Sequence, residues 1–237
     1  MMVKAIGSIA FAPPIFNLLG TQMKKIISSF TALTLAGPAF AHHPLAGAPM
    51  ETFTHGLLSG VGHPILGFDH LFFIALVGIS AVFTGHRLSA PLTFIAAMLI
   101  GTLSSSFGLA IPATESMIVI SLILLGGIVA TGRSLSNFNT LFLFAITGIF
   151  HGSAFGASIA GQEMSVGTLV LVGYLIGLGV SQYLIAVGTG FLATKSWKAT
   201  KASAIPTRIS GAFVAGMGVF LALEGIEGAV FSSLGLN

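Results

Sequence analysis

The chain has 237 residues, 54% of them hydrophobic and only 6% charged, a balance that leaves no ordinary charged surface for a water-soluble domain. With no cysteine, disulfides, thiolate zinc sites, iron–sulfur clusters and a cysteine nucleophile are excluded, and any metal must be held by nitrogen and oxygen. The formal charge of +3 gives no argument for nucleic acid. Lys4, Lys24 and Lys25 precede an expected cleavage site, and the bases that remain balance the acids.

Residues 1–22 read as an upstream extension, because a complete export signal begins at Met23. Lys24 and Lys25 supply its positive start, Ile26 to Leu35 its apolar stretch, and Ala39-Phe40-Ala41 its small-x-small cleavage pattern. Residues 23–41 are therefore expected to be a signal peptide, and the mature chain starts at His42. From 42 to 237 the sequence reads as a single all-α membrane domain, a bundle of six transmembrane helices. Its apolar runs, each long enough for a bilayer core of about 30 Å, fall near 63–85, 90–110, 114–131, 138–160, 166–194 and 208–233. Short connections suggest that sequence neighbours pack antiparallel. Gly173, Gly177 and Gly179, and Gly211, Gly216 and Gly218, read as close helix packing through small residues.

Orientation follows from two signals. Export places the mature N-terminus in the periplasm, so the loops after the first, third and fifth spans face the cytoplasm. Arg87, Arg133, Lys195, Lys198, Lys201 and Arg208 all fall there, as the positive-inside rule requires. The expected location is a bacterial inner membrane with both mature termini periplasmic.

Ionisable groups within a lipid-facing bundle are costly and mark sites or aqueous cavities. The first span opens with His63-Pro64-Ile65-Leu66-Gly67-Phe68-Asp69-His70. On one continuous helix His63 and His70 lie nearly two turns apart on the same face, Pro64 suits its first turn, and Gly67 leaves room between the imidazoles. At about 1.5 Å per residue, Asp69 and His70 share a depth with His151 of the oppositely running fourth span. All six acids and every histidine except His86 fall towards the outer side. Mixed imidazole and carboxylate ligands suit Ni²⁺, Co²⁺ or Zn²⁺ better than Ca²⁺, Mg²⁺ or Cu(I). The expected ligands are His63, Asp69, His70 and His151, with Glu115 as a further ligand or an imidazole partner. His42 and His43, beside the new α-amine and helped by His55, would capture metal outside, although a polar N-terminal stretch needs no such role. His86 reads as an inner-loop residue. Thr102, Ser104, Ser105, Ser106, Thr147 and Gln182 are candidates for a weakly polar inward route, but hydroxyls in spans commonly bond only to backbone carbonyls.

At these residues the chain resembles the HupE/UreJ family of membrane proteins, associated with nickel and cobalt uptake. The family's first-span pattern, His-x5-Asp-His, is met by His63, Asp69 and His70. Its fourth-span pattern, Phe-His-Gly-x-Ala-x-Gly, is met by Phe150, His151, Gly152, Ala154 and Gly156. Where members commonly carry a glutamate just after the last glycine, this chain has Ala157 and Ser158, and Glu163, the next acid, is expected to compensate as a metal-site residue. The resemblance implies a permease without its own ATPase, importing Ni²⁺ or Co²⁺ as substrate, with Zn²⁺ a further candidate. It is not expected to be an enzyme. Because imidazole binds metal only when neutral, uptake should fall as pH drops through about 6.5. The partners expected are the metal ion and the lipid bilayer, and a homo-oligomer is compatible with the sequence. Two other classes stay open: a zinc-dependent intramembrane hydrolase, and a metal-binding assembly factor that passes no ion.

Overall fold

The computed structural model describes residues 50–109, 111–160 and 167–235. The extension, signal peptide and cleavage site expected within 1–41, with His42, His43 and Glu163, lie outside the described residues. Among the described residues there is no strand. The described residues form seven α-helices in succession: α1 (Phe53–Leu66), α2 (Phe68–Ala81), α3 (Ala90–Ser106), α4 (Thr114–Ala130), α5 (Asn137–Ala160), α6 (Thr168–Lys195) and α7 (Ile205–Ser233), with a 3₁₀ turn, Val82–Thr84, extending α2.

The first expected span is not one helix beginning at 63. A helix already starts at Phe53, where the Thr52 side chain accepts from the His55 N–H at 3.1 Å and the Glu51 N–H donates to His55 Nδ1 at 3.3 Å. This variant of a capping box explains the start ten residues earlier than apolarity alone suggests. The helix then breaks at Gly67, whose extended backbone (φ −84°, ψ 96°) ends α1 and caps α2, and the axes bend by 82°. Pro64 lies inside α1, not in its first turn, so it leaves the Gly60 carbonyl without its usual donor just before the break. His63 and His70 therefore do not share one helix face.

The other boundaries fall within a few residues of expectation. The helices α5, α6 and α7, of 24, 28 and 29 residues, are long and apolar enough to cross a membrane, and α1 with α2 makes a fourth if the bent pair is one span. The helices α3 and α4 are equally apolar but have 17 residues each, at the short limit for a span.

Glycine ladders decide which helices meet. A Cβ on Gly148, Gly152 or Gly156 of α5 would lie 2.5, 1.9 or 2.3 Å from the carbonyl oxygens of Phe94, Met98 and Thr102 of α3. Gly56 and Gly60 of α1 face the carbonyls of Val170 and Tyr174, and Gly173 and Gly177 of α6 return the contact to those of Phe53 and Leu57. In both pairs the residue numbers rise together, so these helices run parallel. Gly78 of α2 continues along α6 against Ala186 O. By contrast Gly126 and Gly211 bring α4 and α7 together antiparallel, with Gly218 further along against Leu122. The expected close packing through small residues is what the backbone shows. Sequence neighbours from α2 onward do run antiparallel as expected, but they are not the closest pairs, which are the ones in which a glycine face meets bare backbone, whatever the loop length.

These directions bring the ends of α2, α4 and α6 and the starts of α3, α5 and α7 to one end of the bundle. Arg87, Arg133, Lys195, Lys198, Lys201 and Arg208 all lie at this basic end, where Arg208 Nε donates to Ala130 O at 3.0 Å and closes the end of α4. Glu51, Glu115, Glu224 and Glu227 lie at the opposite, acidic end.

Candidate functional site

The break at Gly67 turns the start of α2 into the bundle, towards α4, α5 and α6. Gly67 has the space the sequence suggests: an added Cβ would sit 3.5 Å from both Asp69 Oδ1 and His70 Nδ1. His70 then meets α5. Its ring centroid lies 5.1 Å from that of His151 and 4.5 Å from that of Phe155, so the depth match between the two histidines becomes a side-by-side contact. His63, on α1, also meets Phe155, with ring centroids 5.0 Å apart, and shares a 3.1 Å hydrogen bond between its Nδ1 and the Tyr174 hydroxyl of α6.

The hydrogen bonds assign the tautomers. His70 Nδ1–H donates to Asp69 Oδ1 at 2.9 Å, which leaves His70 Nε2 as the remaining nitrogen. The Ser121 hydroxyl spends its proton on Ile118 O at 2.6 Å, so its oxygen accepts from His151 Nε2–H at 2.9 Å. A bare lone pair is left on His151 Nδ1. Both His70 Nε2 and His151 Nδ1 are buried and have no hydrogen-bond partner. Two acceptor nitrogens on adjacent rings cannot satisfy each other, and each uncompensated burial costs roughly 1–3 kcal/mol. A Lewis acid within reach of such a nitrogen would satisfy it. The surroundings are otherwise apolar: Phe73 stacks on His151 at 4.3 Å and Phe94 meets it edge-on at 5.8 Å, and His151 is wholly buried.

Ser121 and Tyr174 were not among the expected site residues. A single serine in the apolar run Ile118 to Leu125 and a tyrosine among the glycines of α6 were the only signals available. Ser121→Ala removes the acceptor for His151 Nε2–H, and a loss of about 1–3 kcal/mol in unfolding free energy is expected. A melting temperature of the purified protein equal to that of the wild type would show that the bond does not hold His151.

The remaining expected residues lie elsewhere. Glu115 is exposed at the start of α4 and lines a cleft of about 710 Å³ with Ser105, Thr114, Ser153 and Ser158, away from the imidazole pair. In that cleft Ser153 Oγ bonds with Ser105 Oγ at 2.7 Å. His55 is engaged at the start of α1, and His86 is exposed on the loop before α3. Of the candidate polar route, Thr102, Ser106 and Thr147 each donate to a carbonyl one turn back as ordinary helix hydroxyls do, whereas Ser105 bonds across to Ser153 and the wholly buried Gln182 keeps an unpartnered Oε1. Among the described residues no three His, Asp or Glu side chains converge closely enough to hold a metal ion.

Fold and composition together define a helical membrane protein in which a partly exposed Asp69/His70 pair meets the buried His151 among the helices. The model of the family described as HupE / UreJ protein matches residues 30–221, and the chain belongs to that family. It is similar to Protein HupE of Rhizobium leguminosarum bv. viciae, with 28% identity over 203 residues, covering 84% of this chain and 98% of that protein. No solved structure matches.

Proposed function

We propose that the chain is an inner-membrane permease that imports a divalent first-row transition ion, Ni²⁺ or Co²⁺, through the His70/His151 centre. The observation that carries the reading is the pair of buried, unpartnered imidazole nitrogens on adjacent rings from α2 and α5. Asp69 holds His70 from behind, as carboxylates orient metal-binding imidazoles. Neutral imidazole with carboxylate nearby suits Ni²⁺, Co²⁺ and Zn²⁺, and the family's association with nickel and cobalt uptake selects the first two. His63, which also meets Phe155, supplies a further nitrogen once α1 shifts at the Gly67 break. Glu115, Glu163, His42 and His43 act earlier, as outer groups that attract and pass the dication.

In this reading the membrane is crossed six times, with α1 and α2 together as one broken span and α3 and α4 as short ones. The basic end faces the cytoplasm and the acidic end, with both mature termini, the periplasm. A discontinuous helix beside a buried site is the arrangement by which transporters expose backbone and ligands to an ion. In this reading the buried side chains Phe73, Leu122, Leu125 and Phe144 would close the route inward of the imidazoles. Beyond the seal a cavity of about 20 Å³, room for a single water, is lined by Ser80, Thr84, Thr140 and Thr207. Release therefore requires the helices to part.

The test is flux into sealed proteoliposomes of purified protein, with labelled Ni²⁺ and Co²⁺ outside. Saturable accumulation by the wild type is expected, and a fall of at least tenfold with Asp69→Asn, which keeps the size but weakens the hold on His70. Bound metal with no flux would identify an assembly factor instead, and chelator-sensitive lipid hydrolysis an enzyme.

A further inference from the structure

At the basic end, the 3₁₀ turn after α2 and the last two turns of α6 enclose a cleft of about 180 Å³. Its formation is specified locally. Gly190 lets the turn approach α6: a Cβ there would lie 2.9 Å from Gly78 O and 3.2 Å from Val82 Cγ2. Gly85, at φ +75°, then reverses the chain into a conformation that side-chain-bearing residues rarely adopt. The returning strand of loop is pinned by the Tyr183 hydroxyl, which donates to Leu88 O at 3.3 Å.

This fold-back sets Arg87 opposite Lys195, the last residue of α6, with Val82, Val187 and Phe191 forming apolar walls. Among the described residues neither cation has a carboxylate partner, the ion pair found there being His70 with Asp69. Two unneutralised cations held over one pocket favour an anion that both can reach. The pocket also opens onto a continuous apolar face of α6, where Ile176, Val180, Leu184 and Phe191 are 47%, 54%, 64% and 63% exposed at helical spacing. An anionic head above and an apolar tail along the helix is the shape of a phospholipid. Trp197, 39% exposed just past the end of α6, is the residue type that settles at the headgroup level.

We propose that the cleft between Arg87 and Lys195 binds the headgroup of an anionic phospholipid of the cytoplasmic leaflet, with one acyl chain lying along α6 from Phe191 towards Ile176. The assignment rests on the chain being a membrane protein with its basic end inside, and is independent of metal transport. A free phosphate would satisfy the cations but not the apolar face, which separates the two sources.

The experiment is native mass spectrometry of the full-length protein in neutral detergent with equal amounts of an anionic and a zwitterionic phospholipid of the same chains. The wild type is expected to retain the anionic lipid preferentially. Replacing both cations (Arg87→Gln with Lys195→Gln) is expected to lower that preference by about tenfold or more, while Lys201→Gln, at the same end but outside the cleft, leaves it unchanged. The single variants Arg87→Gln and Lys195→Gln, each expected to give a partial loss, carry the test if the double variant does not fold. Equal retention by wild type and double variant would overturn the proposal, as would an equal loss with Lys201→Gln. Displacement of the lipid by millimolar inorganic phosphate alone would also overturn it, since the pocket would then be a phosphate site.

Discussion

Replacing His151 by phenylalanine is expected to reduce Ni²⁺ uptake at least a hundredfold while leaving the fold as stable as before or more so. The two halves of that expectation come from different terms. His151 is fully buried, stacked on Phe73 and edge-on to Phe94, surroundings in which a phenyl ring of similar shape packs at least as well. The substitution removes one hydrogen bond, to Ser121, worth roughly 1 kcal/mol, but also removes an unpaired buried nitrogen that costs roughly 1–3 kcal/mol. A histidine kept only for packing would thus be dispensable. If instead its Nδ1 holds the ion, losing one of a few nitrogen ligands is not compensated by anything in an apolar site. Uptake into sealed vesicles and thermal unfolding of the same preparation check both halves. A stable His151→Phe protein that still accumulates metal at the wild-type rate would remove the imidazole pair from the mechanism. His70→Phe is expected to behave likewise in flux, but it also leaves Asp69 without its partner, so its stability is a poorer discriminator.

The parts of this architecture that depend on rise per residue were legible in the sequence. Counting inward from opposite ends placed His70 and His151 in one layer, and their rings lie 5.1 Å apart. The break between His63 and His70 was not legible, because Pro64 also suits the first turn of a helix beginning at 63 and a glycine in a membrane helix usually serves packing. Nor was the early start of α1, whose signal is a cap of Thr52 and His55 ahead of a polar, glycine-containing turn. The parallel pairing of α3 with α5 was hidden for another reason. Loop length constrains direction between neighbours in the chain, but says nothing about which helix offers bare backbone to Gly148, Gly152 and Gly156. At the site, the histidines stood out because charge in lipid is expensive. Ser121, which fixes the tautomer of one of them, looks in sequence like any hydroxyl able to bond its own helix. It does bond its own helix, at Ile118, and that is why its oxygen is left to accept from His151.

The same ladder yields the largest expected effect on the fold. Gly152 lies beside His151, and a methyl group there would stand 1.9 Å from Met98 O and 2.7 Å from the Met98 carbonyl carbon. These are backbone atoms of α3, which cannot rotate out of the way. Gly152→Ala must therefore push α3 and α5 apart by more than an ångström, along a seam where Gly148 and Gly156 are nearly as close. Overpacking of this kind costs about 1–3 kcal/mol or more, and in lipid the lost van der Waals contact is not repaid by any hydrophobic gain. The displacement also carries His151 away from His70, so uptake should fall together with the melting temperature. Gly127→Ala supplies the contrast. Nothing lies within 4 Å of its added Cβ, and alanine in a helix is favoured over glycine by about 0.5–1 kcal/mol, so its melting temperature should be unchanged or slightly raised. Thermal unfolding of the two variants in one detergent decides the matter: if Gly152→Ala melts with the wild type, the close approach of α3 and α5 is not what holds the imidazoles in register.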